Sequence, residues 1–268
     1  MLISGAPRVL VLRAAGINCD EETADACDLA GGRAERVHVN QIDSGACNLL
    51  DFAALVIPGG FSYGDHLGAG KLLAVDMVHR IGVPLRRFVE EGRPVLGICN
   101  GFQVLAKAGL LPGPPPGSSG ELSQTVTLAS NASGHYECRW VRLRAEPGSP
   151  CIFTRGIDRP ITLPVGHGEG RFVAPPEVLD DVERRGLVAL RYVNAEGEAA
   201  TTYPDNPNGS SAAIAGVCDR RGTVFGLMPH PDRAFLPQLH PDWLRFRSRT
   251  EGDGLAIFRN MIRYAGEL

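Results

Sequence analysis

Short apolar runs and amphipathic stretches alternate along the first hundred residues. Residues 8–13, 34–39, 53–57 and 95–98 are strand-like apolar runs bounded by polar residues, Gly or Pro. Continuous apolar runs of this length mark strands buried on both faces. Between them, residues 21–30 and 71–91 read as helices; Gly31-Gly32 ends the first, and Pro58-Gly59-Gly60 breaks the strand at 53–57. Strands alternating with helices predict an α/β fold with a parallel sheet covered on both faces. The pattern changes after residue 111. Residues 112–120 are Pro, Gly and Ser in a loop composition. Shorter strand-like segments follow at 124–128, 137–143, 171–174 and 187–192, predicting an additional antiparallel portion attached to the same domain. The chain re-enters the core at 223–228. It closes on a helix over 254–265, with Leu255, Phe258, Met261, Ile262 and Ala265 at helical spacing.

Composition narrows the class. A length of 268 residues with 44% hydrophobic content predicts one large domain with a sizeable core and insertions at 112–120 and 234–253. A net charge of −3 gives no reason to expect nucleic acid or an anionic membrane. The seven cysteines (19, 27, 47, 99, 138, 151 and 218) are odd in number and contain no C-x-x-C pair. Neither a zinc ribbon nor a disulfide framework is suggested, and a reduced, cytoplasmic setting is expected. No signal-peptide pattern opens the chain, and no apolar run approaches the roughly 18 residues of a spanning helix.

Candidate chemistry centres on Gly97-Ile-Cys99-Asn-Gly101, an apolar strand that stops at a thiol and restarts as an amphipathic helix. This is the frame of a strand-to-helix elbow that exposes a nucleophile. The helix start lends partial positive charge, which favours a thiolate. The small neighbours keep the turn and the substrate approach open. Met228-Pro-His230-Pro-Asp232-Arg233 follows the last core strand. In an extended backbone His230 and Asp232 would point the same way, so the carboxylate could orient the imidazole. Backbone N–H groups at Gly60 and Asn100 could form a two-donor oxyanion hole. Each motif alone has a plain alternative: a packed cysteine, a loop histidine, an ordinary glycine turn. It is their combination that points to Cys nucleophilic catalysis.

Pro58-Gly-Gly-Phe-Ser-Tyr-Gly-Asp65, residues 97–103 and residues 228–233 together resemble the class I glutamine amidotransferases. Within that class they resemble the glutaminase subunits of phosphoribosylformylglycinamidine synthase, an enzyme of de novo purine biosynthesis. Gly16-Ile-Asn-Cys-Asp20, Pro164-Val-Gly-His-Gly-Glu-Gly170 and Asn206-Pro-Asn-Gly-Ser210 extend the likeness almost end to end. The resemblance implies a flavodoxin-like domain in which Cys99 is the nucleophile, His230 the base and Asp232 the third member of the triad. The family normally carries Glu in that third position, so Asp232, one methylene shorter, is a departure. Gln103 matches a substrate-contacting position; His167 and Glu169 match a motif near the site. The resemblance further implies L-glutamine as substrate. Ammonia would pass to a synthetase subunit that converts formylglycinamide ribonucleotide to its amidine, with a small third subunit in the complex. No cofactor is expected in this chain: residues 64–71 miss the phosphate-loop spacing and place Leu72 where Ser or Thr is required. ATP and Mg are expected on the synthetase. Residues 112–120 and 234–249, with Trp243, Arg245, Arg247 and Arg249, are candidate docking segments. A Cys hydrolase of related fold and a non-catalytic interaction subunit are the alternative functions.

Overall fold

The structure is a computed structural model that describes residues 5–114, 122–246 and 249–268. Among these, nine strands form one sheet. In chain order the first four are β1 (Arg8–Arg13), β2 (Arg33–His38), β3 (Ala54–Ile57) and β4 (Val95–Ile98). The others in it are β6 (Glu137–Ala145), β7 (Ile161–His167), β9 (Val188–Tyr192), β10 (Ile214–Cys218) and β11 (Val224–Leu227), while β5 (Thr127–Ser130) and β8 (Glu169–Val173) form a separate antiparallel pair. The order across the large sheet is β2-β1-β3-β4-β11-β10-β9-β6-β7. Its first five strands are all parallel, in the doubly wound flavodoxin-like order, and every pairing beyond β11 is antiparallel. The expected antiparallel portion is thus mostly a continuation of the parallel sheet. Burial explains the sequence pattern. β3, β4 and β11 are interior strands, buried at every position, whereas the edge strand β2 buries only Val37 and carries Arg33, Glu35 and Arg36.

Seven α-helices lie among the described residues: α1 (Asp20–Leu29), α2 (Val39–Asp43), α3 (Lys71–Arg80), α4 (Gly82–Glu90), α5 (Asn100–Lys107), α6 (Pro176–Arg184) and α7 (Leu255–Ala265). α1 packs with α7, and α3 with α5. Crossovers leave β1 toward β2 in one direction and β3 toward β4 in the other. With right-handed connections that puts α1 and α3 on opposite faces. α5 is buried along all but its last residue, and the β5–β8 pair covers it, with Phe102 stacked on Phe172.

Two differences from the sequence expectation have clear causes. The single helix expected over 71–91 is two helices, broken at Ile81 (φ −123°, ψ 16°). Pro84 sits in the first turn of α4, where its missing N–H is tolerated; in one continuous helix its ring would meet the Arg80 carbonyl. β7 and α6 escaped the sequence reading. β7 contains Pro164, which a strand tolerates only at an edge, and β7 is the sheet's edge. Of the suggested docking segments, residues 115–120 and 247–248 lie outside the described residues. Arg249 ion-pairs with Asp253 at 3.3 Å, whereas Trp243 is 41% exposed. Among the described residues no helix is long and apolar enough to cross a membrane, and all seven cysteines are free.

Candidate active site

The loops after β1, β3, β4 and β11 leave the sheet at its carboxyl edge, beside the point where strand order reverses, where open α/β sheets bind ligands. Cys99 occupies the joint between β4 and α5 at φ 51°, ψ −102°. A side chain in that region stores roughly 1–3 kcal/mol of strain and persists only where its surroundings impose it. Here the Cys99 N–H donates to the Leu227 carbonyl at 2.8 Å, and its carbonyl accepts from Gln103 N at 3.1 Å. The flanking glycines let helix and strands meet. A Cβ on Gly101 would stand 1.9 Å from the Ile57 carbonyl oxygen, and one on Gly97 would stand 2.7 Å from Gly101 itself. Those glycines therefore serve the packing of the elbow. The thiol faces the Gly166 carbonyl at 3.6 Å and lies close enough to the His230 ring to favour its charged form.

His230 and Asp232 are both buried, with Nδ1 and Oδ1 3.1 Å apart. The expected extended arrangement is not what joins them. Asp232 lies in a 3-10 turn, Pro231–Arg233, and the turn folds its carboxylate back onto the ring. From this turn the shorter Asp side chain reaches the ring at hydrogen-bond distance. Thr23 of α1 donates from Oγ1 to Asp232 Oδ2 at 3.3 Å, and His230 N donates to the Pro164 carbonyl at 2.8 Å. Burial works against a charged His230 ring. The charges of Asp232 and Cys99, with their hydrogen bonds, outweigh it, and the ring is pushed up to about 10. Gly59 makes room for the ring, since a Cβ there would stand 2.6 Å from His230 Cε1.

The other candidates form a support layer. Gly60 (φ 144°) fits against the loop after β1, where a Cβ would stand 2.7 Å from Gly16 O. Ser62 N donates to Asn100 Oδ1 at 3.2 Å, tying the loop after β3 to the start of α5 and so drawing the Gly60 and Asn100 segments together. The buried Gln103 amide accepts from Asn100 Nδ2 at 2.9 Å and donates to the Glu169 carbonyl, so in this arrangement it orders the loops rather than offering a free group. Glu169 accepts from Ala69 N at 3.2 Å and lies 3.8 Å from Lys107 Nζ. His167 is buried with Nδ1 3.1 Å from Asn131 Oδ1. Burial and the nearby His230 charge lower its ring to about 4, so it is neutral. Sequence reasoning assigned no role to Thr23 or Asn131; a lone Thr in a helix and a lone Asn in a loop carry no spacing signal. Cys19 stood in a quoted motif but had no role either. It is buried beside the dyad, where burial and Asp232 push its thiol up, and it sits outside the strand-to-helix elbow. Near Gly166 a cavity of about 680 Å³ opens to the surface, with Tyr136 and Arg139 in its wall.

A thiol on a strained strand-to-helix turn, coupled to an imidazole and carboxylate on a neighbouring strand end, is the arrangement of a glutamine amidotransferase, and residues 6–265 match the CobB/CobQ-like glutamine amidotransferase domain family. The phosphoribosylformylglycinamidine synthase subunit PurQ of Dehalococcoides mccartyi is 43% identical over 261 residues, covering 97% of this chain and 98% of that protein. PurQ of Thermus thermophilus is 43% identical over 258 residues, covering 96% and 98%. The chain belongs to this PurQ family. A solved structure, PurLQS from Thermotoga maritima, aligns with a TM-score of 0.72 at 32% identity, covering 97% of this chain and 99% of that one.

Proposed function

We propose that this chain is the glutaminase subunit of phosphoribosylformylglycinamidine synthase, hydrolysing L-glutamine at Cys99 and passing the ammonia to a synthetase subunit. The observation that carries the reading is Cys99 on its strained strand-to-helix turn, with the hydrogen-bonded His230–Asp232 pair beside it at the carboxyl edge of the sheet. The Cys99 sulfur attacks the side-chain carboxamide carbon, and the thiol proton resides on His230. The oxyanion is held by the backbone N–H groups of Gly60 and Asn100. As the C–N bond breaks, His230 gives its proton to the departing nitrogen, releasing ammonia and leaving a γ-glutamyl thioester. His230 then takes a proton from water, which attacks the thioester carbon. The C–S bond breaks, releasing glutamate and restoring the sulfur. Asp232, itself anchored by Thr23, holds the ring orientation and balances its charge throughout. Gln103, His167 and Glu169 shape the substrate side of the pocket.

The synthetase, of the PurL type, would carry ATP and Mg and convert formylglycinamide ribonucleotide to its amidine. A small third subunit of the PurS type would complete the assembly. An intact dyad speaks against a purely scaffolding subunit. In the reconstituted complex, Cys99→Ala is expected to remove glutamine-dependent synthesis while ammonia-dependent synthesis continues. Loss of both activities, or survival of the glutamine-dependent one, overturns the division of labour.

A further inference from the structure

Cys19 arrives from the opposite side of the sheet's switch point, on the loop after β1, and brings a second sulfur to the dyad. Its Sγ, a ring nitrogen of His230 and a carboxylate oxygen of Asp232 all lie within 4.8 Å of one another, and all three residues are buried. Gly59 leaves the space between them bare: a Cβ there would stand 3.2 Å from Cys19 Sγ and 3.4 Å from His230 Nδ1. Sulfur, imidazole and carboxylate are together the donor set of a zinc-class cation. We propose that Cys19, His230 and Asp232 form an inhibitory site for a zinc-class divalent cation, which silences the glutaminase by replacing the proton between His230 and Asp232.

Ordinary zinc bond lengths place neighbouring ligand atoms roughly 3.3–3.7 Å apart in a tetrahedron, so the triad closes onto an ion with movements of about 1 Å. The fourth position is left to water. A Cys19 thiolate and the Asp232 carboxylate neutralise the dication, so no net charge is buried. Arg233 is the opposing group, with Nη2 3.0 Å from Cys19 Sγ. Its side chain is 45% exposed and already pairs with Glu22 at 3.3 Å, so it has a place to go. On binding, the Cys19 S–H and the His230 Nδ1–H each release a proton, and Nδ1 and Sγ bond the metal. The ring then keeps its proton on Nε2 as a neutral, metal-bound imidazole, too weak an acid to protonate the departing nitrogen. The binding claim stands on geometry alone; the inhibition rests on the function proposed above.

The test is equilibrium dialysis of the purified chain against buffered Zn2+, with glutamine hydrolysis by the assembled complex followed at the same free zinc. Wild type and Cys99→Ala are expected to take up zinc at this site, and chelator to restore turnover in the wild type. Cys19→Ala should bind it about tenfold or more weakly and need about tenfold or more zinc for half-inhibition, while turning over normally without zinc. Cys19→Ser, which keeps the side chain's size, serves if the Ala variant does not fold. Inhibition at unchanged zinc in the Cys19 variants, or no uptake by Cys99→Ala, overturns the site. Wild type that binds zinc but never hydrolyses glutamine sinks the functional reading and leaves the site standing.

Discussion

Gly59→Ala bears most directly on the placement of the His230 ring. The added methyl carbon would stand 2.6 Å from His230 Cε1 and 3.2 Å from Cys19 Sγ. Ordinary carbon–carbon contact needs about 3.6 Å, so one partner must yield by about 1 Å. The backbone of β3 is anchored, since Gly59 O accepts from Cys19 N at 3.3 Å and the preceding strand is buried throughout. Gly59 is not in the left-handed region, so alanine introduces no backbone strain of its own. The ring, ending a loop at the strand edge, is the part that moves. A misplacement of 1 Å at a catalytic group costs about 10²-fold in rate, or about 2.7 kcal/mol of transition-state stabilisation. The assay is steady-state glutamine hydrolysis by the reconstituted complex, with ammonia-dependent synthesis as the control and thermal unfolding as the check on folding. The expected result is a kcat near one hundredth of wild type, with KM and the ammonia reaction little changed. A folded Gly59→Ala protein with wild-type kcat refutes the view that ring position is set by this contact.

Thr23→Val leaves Asp232 Oδ2 without its buried donor; a hydrogen bond to a charged group is worth about 1.5–3 kcal/mol, so unfolding free energy should fall by that order and kcat by about tenfold, and an unchanged kcat would detach Thr23 from the triad. The two buried histidines shape stability in opposite pH ranges. His230, raised from 6.5 to about 10 by Asp232 and Cys99 against the pull of burial, contributes fully below pH 6.5 and loses its contribution as pH rises through about 10. His167, lowered to about 4 chiefly by burial, contributes fully above pH 6.5 and loses its contribution as pH falls through about 4. Urea unfolding from pH 4 to 10 should therefore show a shallower alkaline limb in His230→Gln and a shallower acid limb in His167→Gln; limbs identical to wild type would contradict both assignments.

The elbow was legible because it changes period abruptly, from a four-residue apolar strand to an amphipathic helix, with glycines where the backbone must approach closely. The parallel half of the sheet was legible for the same reason: its interior strands are apolar without interruption. β7 was not, because Pro164 and Gly166 interrupt its alternation with two turn-forming residues. The break at Ile81 had its signal in Pro84, which the apolar spacing on either side masked. Pairing across long separations lies beyond a sequence pattern. Thr23 and Asp232 are 209 positions apart and meet only because α1 packs beside the turn after β11. The 3-10 turn that brings Asp232 to His230 depends on backbone angles that one intervening proline does not reveal.

In the mechanism proposed here one thiol, Cys99, attacks glutamine with His230 as its proton partner. A glutamine-analogue electrophile such as 6-diazo-5-oxo-L-norleucine, incubated with the assembled complex and mapped by peptide mass spectrometry, tests it directly. A single adduct on Cys99 is expected, formed far more slowly in His230→Gln, with Cys19 unmodified. An adduct on Cys19, or labelling of Cys99 at the same rate without His230, contradicts it.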